Sequence, residues 1–226
     1  MLRKLVRVDS KLPISDSNMG TKPMLKNEGL PPEHGAPDVY TSGIYRTPVP
    51  MERVTSFGSH FISPAHQGGL LHSIDFYVEE GTKVRAPANG TVLNIKEDSD
   101  THGLTKEYWE LGNFILLECA DGEYVSLEHM QHNFATLLNV KIGDRVRAGS
   151  IIALSGVTGF AEFPHVHMEV LQFVGGNMTH AELLNYKNFV TKKIRFSRDD
   201  IPFDLYEEEQ KPLHSRDEAG GMHKKY

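Results

Sequence analysis

From Ile74 onward, apolar positions fall into short runs separated by turn residues. Ile74-Asp75-Phe76-Tyr77-Val78 reads as a strand, and Glu79-Glu80-Gly81 as the turn after it. Lys83-Val84-Arg85-Ala86 and Gly90-Thr91-Val92-Leu93-Asn94-Ile95 follow, bounded by Pro87 and Asn89-Gly90. Lys96 to Gly112 is polar and reads as a long loop. Asn113 to Glu118 is apolar enough for a central strand. Asp121-Gly122 is a hairpin signal leading into Glu123-Tyr124-Val125-Ser126-Leu127. Val140 to Gly149, Ile151-Ile152-Ala153-Leu154 and the stretch His165 to Val170 complete the series. Strands this short, spaced by Gly and Asp-Gly turns, predict an all-β, antiparallel domain.

Gly81-Thr82-Lys83-Val84-Arg85-Ala86 is echoed by Gly143-Asp144-Arg145-Val146-Arg147-Ala148. Each copy precedes an apolar strand, so two similar β-turn-β units packed on each other are expected. Two copies are too few for a solenoid.

The ends read differently. Residues 1–45 are rich in Pro, Gly, Lys, Asp and Asn and form an extended lead-in that drapes on the domain or stays mobile. The domain is expected over 46–175, with Val54 to Phe57 as its first strand. In 176–226, Thr179-His180-Ala181-Glu182 has capping-box spacing ahead of a short helix. Lys193 to Phe196 forms a last strand, and a charged tail without fixed structure is expected from Ser197.

Composition narrows the function classes. The chain has 226 residues, 39% hydrophobic, with a net charge of -6. It has no basic cluster interleaved with aromatics, so nucleic acid is not an expected partner. Cys119 is the lone cysteine, which excludes a disulfide framework and a cysteine zinc ribbon; it reads as a small core residue. The N-terminus lacks the apolar region of a signal peptide, and no window approaches a membrane span. A soluble monomer without an integral membrane segment is expected.

Histidine is the residue that changes the picture. There are twelve, crowded between His60 and His180. His165 and His167 sit two apart in a strand and so face one side, with Val166 and Met168 on the other. Two imidazoles side by side suit a metal ligand beside a proton-transfer group, or two ligands of one metal. A hydrolytic zinc site needs three protein ligands and one open position. The candidates are His66, His72, Asp75, His129, His132, His165 and His167. HExxH is absent, which excludes a helical zincin and leaves strands and loops to build any site.

Several motifs occur in series: His66-Gln67-Gly68, Ile74-Asp75-Phe76, Glu80 to Ala86, Asn89-Gly90-Thr91-Val92, Leu127-Glu128-His129-Met130, Val140 to Gly149, Ser155-Gly156-Val157-Thr158-Gly159 and Pro164-His165-Val166-His167-Met168-Glu169-Val170. Together they resemble the M23 family of zinc metallopeptidases, of the lysostaphin or LytM type, over roughly residues 55–172. The resemblance implies a zinc (Zn2+) metalloendopeptidase that cleaves peptides of bacterial cell-wall peptidoglycan. It implies Asp75 and His167 as zinc ligands and His165 as the general base. His129 would line the same cleft and orient water or stabilise the oxyanion. A secreted, periplasmic or cell-wall setting would follow, although the chain shows no signal peptide.

The first ligand departs from the common His-x-Gly-x-Asp pattern, because Leu71 stands four residues before Asp75. His66 keeps the His-x-Gly feature but lies nine residues before Asp75. It is preferred as the ligand, with His72 as the alternative. His132, His60 and His102 read as loop residues and His180 as part of a helix start. Asp98, Asp100 and Asp144 read as turn carboxylates. Asn113 could present its amide to substrate, and Tyr108 and Trp109 could wall the groove or pack in the core. Two other function classes compete. One is a non-catalytic module of the same fold that binds peptidoglycan or a protein partner. The other is a biotinyl- or lipoyl-type carrier, which lacks a convincing lysine at a hairpin tip.

Overall fold

A computed structural model describes residues 36–58, 65–174, 189–202 and 205–206. Strands β1 (Ser56–Gly58), β2 (Ile74–Tyr77), β3 (Lys83–Arg85), β4 (Gly90–Lys96), β5 (His102–Gly103), β6 (Phe114–Glu118) and β7 (Glu123–Glu128) precede one short helix, α1 (Phe134–Leu138). Strands β8 (Arg145–Val146), β9 (Ile151–Leu154), β10 (Gly159–Phe160), β11 (His165–Phe173) and β12 (Phe189–Thr191) follow. The class is all-β, as the strand pattern predicts. The helix expected after Thr179, together with His60 and His180, lies outside the described residues.

The main sheet has eight strands, ordered β1-β2-β11-β7-β6-β4-β8, with β12 also paired to β11. Every pairing in it is antiparallel. The β6–β7 hairpin turns at Asp121-Gly122, both in the left-handed region at φ 60° and 70°, as a two-residue turn of this hand requires. The supposed long loop from Lys96 to Gly112 is partly ordered: β5 within it pairs with β10 in the one parallel ladder among the named strands.

The internal echo has a reciprocal structural meaning. The first copy supplies β3, which pairs with β9, the strand after the second copy. The second copy supplies β8, which pairs with β4, the strand after the first. Each turn therefore hands its neighbour to the other unit.

The core sits on one face of the main sheet. Ile74, Phe76, Ile115, Leu117, Val125, Leu127, Val166, Met168 and Val170 all point into it and are buried. Burial of each such side chain stabilises the fold by roughly 1.5–3 kcal/mol. Because side chains alternate along a strand, the same strands put His165, His167 and Glu169 of β11, and Asp75 and Tyr77 of β2, on the opposite face. Further along that face lies a smaller apolar cluster of Phe114, Leu116, Tyr124, Leu171 and Phe189.

The described parts of both chain ends belong to this core. Tyr40 and Tyr45 form parallel bridges with Lys193 and Phe196. Tyr45 is buried in the core, as are Ile194, Ile201, Leu205 and Tyr206. Among the described residues past Ser197, Ile201, Leu205 and Tyr206 depart from the expectation of no fixed structure, because their side chains find partners at long range. Glu123 ties the N-terminal segment down. It accepts hydrogen bonds from Ser42 N at 2.6 Å, Gly43 N at 3.1 Å and the Tyr45 hydroxyl at 2.8 Å. Its charge partner is the buried Lys192, at 2.8 Å.

Candidate metal centre

Strand register builds the centre. In the pairing of β11 with β2, His167 lies opposite Asp75 and His165 opposite Tyr77. The loop before β2 brings in His66. Three atoms then converge: His66 Nε2 is 3.2 Å from Asp75 Oδ1 and 3.1 Å from His167 Nδ1, and His167 Nδ1 is 2.8 Å from Asp75 Oδ1. All three residues are buried. A tetrahedral metal with bonds of roughly 2.0–2.1 Å would space its ligand atoms at about 3.3 Å, so the trio is already near the spacing of one face of such a site. Two imidazoles and a carboxylate are a donor set that suits zinc. By geometry and chemistry, the residues fit that metal.

His72 is not part of this group. Its Nε2 donates to the carbonyl of Pro37 at 3.1 Å, and its ring packs edge-on against Tyr206 at 5.9 Å. Of the two histidines weighed from sequence, His66 is the one that meets Asp75 and His167.

His165 and His129 flank the trio. His165 Nε2 lies 3.6 Å from Asp75 Oδ1. Its Nδ1 is 2.8 Å from the carbonyl of Phe163. A carbonyl can only accept, so Nδ1 carries the hydrogen and Nε2 keeps its lone pair toward the centre. His129 follows the same rule, with Nδ1 2.7 Å from the carbonyl of Thr158. It closes β7 in the left-handed region, at φ 65°, an uncommon conformation for a residue with a side chain. That kink takes its ring out of the strand and over the centre, 5.9 Å from the ring of His167.

The site's electrostatics follow from burial and neighbours. Burial alone would raise the Asp75 carboxyl, but hydrogen bonds from His167 and His66 outweigh it and hold Asp75 well below its ordinary value. Burial would lower His167, yet Asp75 on one side and Glu169 on the other push it up to about 10. For His129, burial together with His165 and His167 outweighs the pull of Glu128 and takes it down to about 3. Burial also lowers His165, against the opposing pull of Asp75.

A cavity of about 380 Å³ opens over the centre. Tyr77, Leu104, Phe160, Glu162 and Phe163 are among its walls. Trp109 packs behind this wall, 5.1 Å from the ring of Phe160, so it supports the cavity from outside. Tyr77 stands with its ring 5.2 Å from that of His165. Strand alternation with Asp75 is the signal that could have pointed to Tyr77, and alternation with His165 and His167 the signal for Glu169. Asn113 does not face substrate. It is buried, accepts from Ser99 N at 2.9 Å, and donates to the carbonyls of Ser99 at 2.8 Å and Met130 at 3.2 Å.

The site and fold define an all-β protein with a buried His/Asp metal-binding trio, and comparison with known proteins identifies the family. The profile of peptidase family M23 matches residues 70–181, and the chain belongs to that family. His66 lies just before the matched segment. Glycyl-glycine endopeptidase ALE-1 of Staphylococcus capitis is 35% identical over 102 residues, covering 45% of this chain and 25% of that protein. Lysostaphin of Staphylococcus simulans is 32% identical over 102 residues, covering 45% of this chain and 18% of that protein. The chain thus spans a quarter or less of the length of these relatives. Among solved structures, the catalytic domain of lysostaphin from S. simulans is 26% identical, covering 67% of this chain and 88% of that one, with a TM-score of 0.37. No helix among the described residues is long and apolar enough to cross a membrane.

Proposed function

We propose that the chain is a zinc metalloendopeptidase that cleaves peptide bonds in bacterial cell-wall peptidoglycan. The observation that carries this reading is the convergence of His66, Asp75 and His167 under the free Nε2 of His165. Membership of peptidase family M23 supports the reaction class, and the name of one relative above, a glycyl-glycine endopeptidase, supports a short peptide of small residues as substrate.

His66 Nε2, Asp75 Oδ1 and His167 Nδ1 would hold the metal. Bound zinc supplies a Lewis acid that acidifies water and polarises a carbonyl. His165 does the proton work. It is neutral at pH 7 because burial disfavours its charged form. Its hydrogen is committed to Phe163, so Nε2 can take a proton from the attacking water and later return it to the leaving amine. His129 is neutral as well, and its hydrogen is committed to Thr158. It is therefore set to accept a hydrogen bond and orient water, which sharpens the two roles open to it from sequence. Donation to an oxyanion would first require it to gain a proton. Apart from Asp75 at the centre itself, the cavity walls offer apolar surface and one carboxylate, Glu162.

A non-catalytic binding module would be favoured by a missing first ligand, and the position of His66 beside Asp75 weighs against it. The test is zinc stoichiometry of the purified chain together with release of new amino groups from purified cell walls. One zinc per chain with hydrolysis is expected, both lost in a folded His167→Ala. A folded wild-type chain that binds no zinc, or binds it and cleaves nothing, refutes the proposal.

A further inference from the structure

We infer that Glu169 is a positioning residue that dictates which ring nitrogen of His167 faces the metal centre and supplies the second negative charge a buried dication needs there. The inference rests on the zinc reading above.

Glu169 lies two residues past His167 on the same face of β11. Its side chain is buried, and its Oε1 is 2.9 Å from His167 Nε2. A carboxylate can only accept, so Nε2 carries the hydrogen. Nδ1, 2.8 Å from Asp75 Oδ1, would give up its own hydrogen to bind the metal, and the hydrogen on Nε2 then stays with Glu169. Among the described residues, Glu169 is the group that accepts from Nε2 and so selects this tautomer. An outer carboxylate of this kind commonly orients a metal-binding histidine.

The charge count points the same way. A dication held by two neutral imidazoles and Asp75 leaves one positive charge in a buried site. Glu169 brings the total to zero, and buried charge is tolerated chiefly when compensated. Glu169 is otherwise poorly provided for. The Ser73 hydroxyl reaches Oε1 at only 3.4 Å. Oε2 is buried without a hydrogen-bond partner. Among the described residues, His167 is its one ion-pair partner. A carboxylate serving only to stabilise the sheet would be expected to fill both oxygens.

The test uses the full chain and the near-isosteric Glu169→Gln. Zinc affinity is measured by chelator competition, and the protonated nitrogen of His167 by ¹⁵N–¹H spectra of the zinc-loaded wild type. The hydrogen is expected on Nε2, and Glu169→Gln is expected to bind zinc 10- to 100-fold more weakly with its fold retained. A wild-type spectrum placing the hydrogen on Nδ1 overturns the inference and needs no variant, so it decides even if Glu169→Gln does not fold. Equal zinc affinity in wild type and Glu169→Gln also overturns it, while leaving the metalloenzyme reading intact. A wild type that binds no zinc overturns both.

Discussion

The rings of His129 and His165 face each other with centres 4.4 Å apart and planes inclined by 48°, and each is held by the same device. Nδ1 of each donates to a main-chain carbonyl, Thr158 for one and Phe163 for the other. The pair is therefore fixed in one tautomer, with both Nε2 atoms free to accept. The two carbonyls come from the segments flanking β10, so a short stretch of backbone orients both rings.

Replacing His165 should remove proton transfer and spare the metal. His165→Ala is expected to lower kcat by about 10²- to 10⁴-fold while zinc content stays stoichiometric. Kinetics beside metal analysis on the same sample make the check. Loss of zinc along with activity would place His165 among the ligands and sink its assignment as base.

The same tautomer and burial set the pH profile. His165 is lowered from its ordinary value of 6.5, mainly by burial. A lowered base stays neutral, and active, above its own pKa, and is lost only as pH falls through that depressed value. The acid limb of kcat/KM should therefore lie below pH 6.5. A pH–rate profile whose acid limb is centred above 7 would show that His165 is not the base.

Asn113 leads to a stability prediction where its sequence suggested a substrate contact. Its amide joins Ser99 and Met130, and its backbone N–H donates to the Thr158 hydroxyl at 3.0 Å. Truncation orphans several buried groups at about 1–3 kcal/mol apiece. Asn113→Ala should lose roughly 2–4 kcal/mol in urea titrations. A variant of unchanged stability that has merely weakened KM would restore the substrate-facing role.

The contrast between these residues shows what sequence can carry. Asp75, His165 and His167 lie on strands, and a period of two says which way each points before any partner is known. The face they share was therefore legible. His66 sits in a loop, where spacing to Asp75 implies no direction, and only the loop's path separates it from His72. Asn113 was misread because a polar residue at a strand end looks the same whether its partners are substrate or main chain. Tyr45, Ile201 and Tyr206 were invisible for a related reason. Each belongs to an apolar run too short to predict an element, such as Ile44-Tyr45 or Leu205-Tyr206, and its burial depends on partners far away in sequence.

Glu123 makes the last of these long-range links testable by acid. Burial would raise its carboxyl, but Lys192, the amides of Ser42 and Gly43 and the Tyr45 hydroxyl together hold it below its ordinary value of 4.5. A depressed carboxyl contributes stability that is present above the unfolded-state pKa and is lost as pH falls through the folded one. The docking of residues 42–45 should thus weaken in acid, below about pH 4.5, and not in alkali. Glu123→Gln leaves Lys192 buried and unpaired, which typically costs about 3–5 kcal/mol. Its thermal midpoint should be lower at pH 7 and fall less steeply than that of the wild type between pH 5 and 3. Hydrogen exchange at the Ser42 and Gly43 amides locates the effect. If those amides exchange no faster in the variant while the melt drops, the loss comes from elsewhere in the sheet, and Glu123 does not hold the segment.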